Sequence, residues 1–446
     1  MKSIAISSSA ADQKKKNFLY ALPLAVTILT STFYLKLPQG GHSATLAFLD
    51  NPNRLIILGF AYSAALALVC TKFHKSLLVV VNNKLFVLLS IYILVSVFWS
   101  KFPSKVIINW GHSCGLACVV ISALFAIDDK PEKIFLLLSA YSFLAVITSL
   151  ALCLFLPDRG IYSLNGRWMG VTTNPNSLGA ICFVSIWANL ACLGAYKQKK
   201  VQSFCALTIL TTIVVLIGSN SITSTACCIF VIGCMLGFRM LRNNSPTLIF
   251  IKLFLVIAFS LSSMLVIYAI RPDLFTIDAI FSGVGRSKNL TGRTLLWEIG
   301  AGLLSSKPWF GWGFDSLASV FSSKSIETGQ FHNGYIDLCI RGGFIGAGLV
   351  AMFVLKLILN CYAYINRNAH VASVYLILLF AILLHNISEA SLLRSTHFLW
   401  ILFLFSYFHT DCLNQSSTYP QKNDHEETQE RDDPATQAAS LSRGPV

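Results

Sequence analysis

A histidine and an asparagine, His332 and Asn333, stand at the mouth of a long apolar run in "FHNGYIDLCIRGGFIG" (331–346). Gly343-Phe344-Ile345-Gly346 follows nine residues on. Apolar packing gains nothing from a histidine there. An imidazole that titrates near neutrality can instead take a proton from an attacking hydroxyl. Upstream, "NLTGRTLLWE" places Arg293 at the start of a stretch with helical spacing, with Arg286 and Lys288 a few residues before it. Guanidinium binds phosphate oxygens two at a time and keeps its charge at any relevant pH. Further upstream, "NGRWMGVTTNPNSLG" holds Arg167, and its Asn-Pro-Asn (174–176) is a turn that starts a helix and brings Asn176 to its head. Each residue also has a plain reading: Arg167 as an interfacial anchor beside Trp168, Arg293 as a solvated charge, His332 as a cap.

The elements that must position these groups are membrane spans. The chain has 446 residues, of which 55% are hydrophobic and 12% charged, against about 25% charged in soluble domains. Runs such as "KIFLLLSAYSFLAVITSLALCLFLP" (133–157) are long enough to cross a bilayer core. The expected fold is all-α, a polytopic transmembrane bundle of about twelve spans. These lie near 18–35, 54–71, 85–100, 106–127, 133–156, 177–196, 203–218, 222–241, 248–270, 335–358, 371–388 and 396–410. An integral membrane domain then fills 1–410, with a long outer loop, 271–334, carrying short helices between the ninth and tenth spans. Residues 411–446 are polar and net acidic and are expected to form a disordered cytoplasmic tail.

The net charge of +14 arises from lysines and arginines clustered in short loops, as the positive-inside rule requires. No basic stripe interleaved with aromatics suggests nucleic acid. The bias puts both termini in the cytoplasm and the segments 157–177 and 271–334 on the outer face. Most of the 13 cysteines lie inside apolar runs and read as small hydrophobes. The sequence holds no P-loop, dinucleotide turn or H-E-x-x-H, and no outer cluster of aspartates, so no nucleotide, cofactor or metal is suggested. Few ionisable residues fall at mid-span, where a transporter usually keeps them.

Together these residues resemble the O-antigen ligase/O-antigen polymerase superfamily of bacterial membrane glycan transferases. The resemblance rests on His332-Asn333 with Gly343 and Gly346, on Gly292-Arg293, Trp297, Pro308 and Gly311-Trp312-Gly313, and on Arg167, Gly170, Asn176 and Gly179. By motif it covers about 160–350. The turn between the seventh and eighth spans reads "GSNSITST" (218–225), with Asn220 where the family often has an arginine. That departure, with "LTGRTLLWE" and "HNGYIDL", looks like the exopolysaccharide-polymerase branch.

The resemblance implies a metal-independent glycosyl transfer at the periplasmic face of the inner membrane, from a glycan carried on undecaprenyl diphosphate to a sugar hydroxyl. Arg293 and Arg167 would hold the leaving diphosphate, with Arg286, Asn176 and Asn333 in support, and His332 would be the base. The implied partners are the lipid-linked donor, a glycan or lipid A-core acceptor, the bilayer and a chain-length regulator. Polymerisation of repeat units is the favoured reaction. Ligation to lipid A-core, transfer to protein hydroxyls, and transport of lipid-linked sugars are the alternatives.

Overall fold

The computed structural model describes residues 2–33, 52–127, 130–241, 247–248, 251, 293–315, 317, 320 and 330–415. They form α1 (Lys2–Thr32), α2 (Pro52–Thr71), α3 (Phe73–Asn82), α4 (Lys84–Val95), α5 (Pro103–Ile127), α6 (Glu132–Phe155), the single turn α7 (Pro157–Gly160), α8 (Pro175–Ala195), α9 (Lys199–Ser219) and α10 (Ile222–Leu241). Then come α11 (Arg293–Ser306), α12 (Gly334–Tyr364), α13 (Ala369–His385) and α14 (Phe398–Gln415). The fold is all-α and multi-span. Among the described residues seven helices are long and apolar enough to cross a membrane, or eight if α3 and α4 with its following turn, bent by 81°, count as one. The expected ninth span, 248–270, lies almost wholly outside the described residues, as does the first part of the outer loop. α14 runs to Gln415, five residues past the expected domain end at 410.

A helix that is apolar all round must be enclosed, and α8, α13 and α14 are. Phe183, Trp187, Leu379 and Phe403 are essentially without solvent contact. The surrounding helices are apolar outward instead: α9 exposes Ile217 at 73% and Leu210 at 61%, which suits lipid rather than water. Between spans, polar side chains join the helices, as expected where hydrocarbon offers no other partner. Trp187 donates its indole N–H to Val374 O at 2.8 Å, and Ser185 and Thr212 share a 2.8 Å hydrogen bond.

α12 is two helices meeting at Gly343, whose φ of 59° and ψ of −166° belong to a region that only glycine enters readily. Such a break strips backbone groups of their partners. The segment after α11, "KPWFGWG" (307–313), replaces them. Trp312 and Gly313 donate N–H to Ile340 O (2.8 Å) and Arg341 O (3.0 Å), which end the first half. Phe344 and Ile345, which begin the second, donate to Pro308 O (2.8 Å) and Trp309 O (3.2 Å). Buried backbone groups freed by a break need such partners. Gly343 approaches this loop closely, which requires the helix to break, while Gly346 lies against Tyr92 of α4. The remaining stretch, 344–364, is about 31 Å long at the usual rise. It spans a bilayer core without the first half.

The two ends of the bundle carry separate polar clusters. At one, Lys356 Nζ bonds Asp411 Oδ1 (2.9 Å) and Asn83 Oδ1 (3.0 Å). At the other lie the ends of α6, α9 and α13 and the starts of α8 and α12.

Candidate functional site

Arg167 sits in a tight hairpin after α7. Tyr162 donates N–H to Arg167 O at 2.8 Å, and Trp168 donates to Gly218 O at 2.9 Å, so the hairpin is stitched to the end of α9. Asn220 caps α9 in a left-handed conformation, and the turn it makes leaves Ser219 O facing the hairpin. Arg167 donates from Nε to that oxygen (2.8 Å) and from Nη2 to Asn176 Oδ1 (2.9 Å). The guanidinium is half-buried and fixed at two points. Asn176 is presented by the head of α8, which Asn174 caps by accepting Ser177 N–H at 2.9 Å, with Pro175 as first helical residue. Gly179, one turn on, lies where a Cβ would stand 2.7 Å from Ser221 Cβ and 2.8 Å from Ser224 Cβ. Only glycine lets α8 and α10 meet so closely there.

His332 precedes α12 with φ of 50°. Its Nδ1 is 3.5 Å from Glu389 Oε2. The carboxylate favours a proton on Nδ1, which leaves the lone pair on Nε2 for a substrate. The Gln330 amide also reaches Nδ1, at 3.1 Å, and an amide can turn either its oxygen or its nitrogen to that atom. Asn333 is committed elsewhere. Its Oδ1 caps α12 by accepting N–H from Tyr335 (3.0 Å) and Ile336 (3.1 Å), and its Nδ2 donates to Ile387 O (3.0 Å). It is the tether that brings the His332 loop to the end of α13.

Glu389 joins the two halves. Asn176 Nδ2 donates to Glu389 Oε1 at 2.6 Å, so Arg167, Asn176, Glu389 and His332 form one continuous chain of contacts. Sequence reasoning did not single out Glu389. Its signal was an acid at the end of an apolar run, a position that reads as an ordinary solvated terminus.

Arg293 begins α11, and its backbone is described but its side chain is not. Trp297, one turn later on the same helix face, donates its indole N–H to Phe331 O at 3.0 Å. Trp297 thus ties α11 to the His332 loop. Arg286 and Lys288 lie outside the described residues. Nearby, burial, joined by the positive charges of His385 and Arg394, pushes the His397 pKa down to about 3. Its ring keeps some exposed area, so packing around it rather than full exclusion of water produces the shift. Among the described residues no group of three or more His, Cys, Asp or Glu is placed to hold a metal.

Residues 206–351 match the family model described as O-antigen ligase. These residues run from α9 through the outer segment to the middle of α12. The exopolysaccharide production protein ExoQ of Rhizobium meliloti (strain 1021) is 25% identical over 291 residues, which is 60% of this chain and 62% of that protein. These matches support a likeness to the O-antigen ligase/polymerase superfamily over part of the chain, which spans less than two thirds of that relative's length. The O-antigen ligase match begins beyond Arg167 and Asn176 and includes Arg293, Trp297, His332 and Gly343. The structure joins the first group to the second through Glu389.

Proposed function

We propose that the protein transfers a glycan from a polyprenyl diphosphate, undecaprenyl diphosphate in bacteria, to a sugar hydroxyl and so polymerises repeat units. The observation that carries this reading is the contact chain Arg167–Asn176–Glu389–His332. It puts a fixed cation and a histidine with a carboxylate partner at the same end of the bundle.

In the proposed step the acceptor oxygen attacks the anomeric carbon. The bond from that carbon to the phosphate oxygen breaks, and the diphosphate leaves with the electron pair. His332 Nε2 takes the hydroxyl proton, and the Glu389 carboxylate stabilises the imidazolium formed. Arg167 and Arg293 bind the diphosphate and offset the charge that grows on it. The 3.5 Å gap between His332 and Glu389 closes when substrate is bound, as catalytic hydrogen bonds commonly do. The two arginines and the histidine supply the charge and the base that the step needs, and no step calls for a metal.

The basic loops favour cytoplasmic termini, an inner-membrane location and a periplasmic site. The relative in exopolysaccharide production, 25% identical, and the Asn220 turn favour polymerase over ligase.

The test is transfer by purified protein in lipid with a lipid-linked donor. His332→Ala is expected to lower turnover by about 10²–10⁴, and wild-type turnover in that variant overturns the role of base. The glycan profile of a deletion strain separates the acceptors. Single-repeat glycan on lipid A marks a lost polymerase, whereas bare core with accumulated carrier-linked polymer marks a lost ligase.

A further inference from the structure

His332 holds a left-handed backbone conformation, with φ of 50°. Residues other than glycine are uncommon at positive φ, so the peptides around it must be held. They are. Phe331 N–H donates to Asp337 Oδ1 at 2.9 Å. Phe331 O accepts the Trp297 indole N–H at 3.0 Å. On the other side, Gly334 N–H donates to Asn386 O at 2.8 Å. Phe331 is itself fully buried, in a small core with Leu296, Leu303 and Ile340. Asp337 is also without solvent contact, and its second carboxylate oxygen is paired with Arg394. A buried carboxylate is costly unless it is paired and hydrogen-bonded. Here each oxygen has one strong partner, and one of those partners is the peptide next to the candidate base.

We propose that Asp337 is a positioning residue for His332. Anchored by Arg394, its carboxylate grips the Phe331 N–H while Trp297 grips the carbonyl of the same residue, and the two together aim the imidazole at Glu389. The inference rests on the reading of His332 as base. Asp337 acts through the backbone, since it lies one turn inside α12 and spends both oxygens on Phe331 and Arg394. Without the grip, His332 relaxes toward an ordinary φ and its ring swings away from Glu389. A misplacement of about 1 Å in a catalytic group costs roughly 10²-fold in rate.

A merely structural Asp337 would change how much protein folds. A positioning Asp337 changes turnover per folded molecule. The experiment uses the full chain purified into lipid nanodiscs, with a lipid-linked glycan donor, and measures kcat, donor KM and melting for each variant. Asp337→Ala is expected to lower kcat by about 10–10²-fold with donor KM within about twofold. Asp337→Asn keeps an oxygen for the Phe331 N–H and is expected to recover kcat to within about fivefold of wild type. Trp297→Phe keeps an aromatic side chain but loses the indole N–H together with the five-membered ring, and is expected to lower kcat about three- to tenfold. Wild-type kcat in Asp337→Ala overturns the proposal; if that variant does not fold, wild-type kcat in Trp297→Phe does so. His332→Ala separates the two readings. If it stays active, the assignment of the base has failed. If it is inactive while the clamp variants turn over normally, only the clamp has failed.

Discussion

Gly343→Ala tests whether the break in α12 is a built feature. The glycine's φ and ψ lie where an alanine costs about 1–3 kcal/mol. A Cβ there would also run into the Trp309 carbonyl and stand 2.7 Å from Gly311 N. If the loop stays in place, overpacking adds about 1–3 kcal/mol. If it backs away, four backbone hydrogen bonds between 307–313 and the two halves of α12 are lost, at roughly 1 kcal/mol each. The first route sums to about 2–6 kcal/mol and the second to about 5–7 kcal/mol. Gly348 is the internal control. It lies on the same helix with nothing within 4 Å of an added Cβ, so Gly348→Ala is expected to be neutral or to gain up to about 1 kcal/mol. Tryptophan fluorescence on heating the two detergent-purified variants reads the contrast. Gly343→Ala should melt well below both wild type and Gly348→Ala and lose transfer activity, because the loop that plugs the break leads directly from α11. Equal melting of the two variants would refute the account of the plug.

Three other outcomes are expected. Arg167→Lys cannot reach Ser219 O and Asn176 Oδ1 together, so transfer should fall by about tenfold or more, the worth of one charged hydrogen bond; full activity would show that the fork geometry is not needed. Glu389→Gln keeps an oxygen for Asn176 but removes the charge facing His332, and steady-state kinetics should show kcat down about ten- to a hundredfold with donor KM little changed. The third concerns acid. The folded state keeps His397 neutral down to about pH 3, whereas an unfolded histidine takes its proton near pH 6.5. Stability is therefore lost as pH falls from about 6.5 toward 3, and His397→Gln should flatten that part of a melting-temperature profile.

The multi-span fold was legible because apolar runs of span length admit few other readings. The described helices fall on eleven of the twelve expected spans. The third span was read without the sharp bend between α3 and α4. His332, Arg167 and Asn176 were legible by type and by position at the mouths of spans, and the structure links all three through Glu389. Glu389 itself was not legible, since its meaning comes from Asn176, 213 residues away. Nor was the clamp: Asp337 looks like a stray charge in an apolar run until its partners Phe331 and Arg394 appear. The break at Gly343 escaped because G-x-x-G serves both close helix packing and positive φ, and residue type does not give the sign of a dihedral. "KPWFGWG" was read as the end of α11, which it is, but its second role depends on carbonyls that only a broken helix exposes.

The break also makes a ruler of the first half of α12. Residues 334–342 form a strut about 13 Å long. Its foot rests beside exposed Trp309, a residue type that settles at the level of lipid headgroups, and His332 is carried just beyond its tip. The height of the histidine above that level is then set by the number of residues in the strut rather than by the thickness of the bilayer. One inserted residue would turn the tip by about 100°, and a full extra turn would raise it by about 5.4 Å. On the role proposed for His332, the length of this short helix selects how far from the lipid surface a reacting bond can lie.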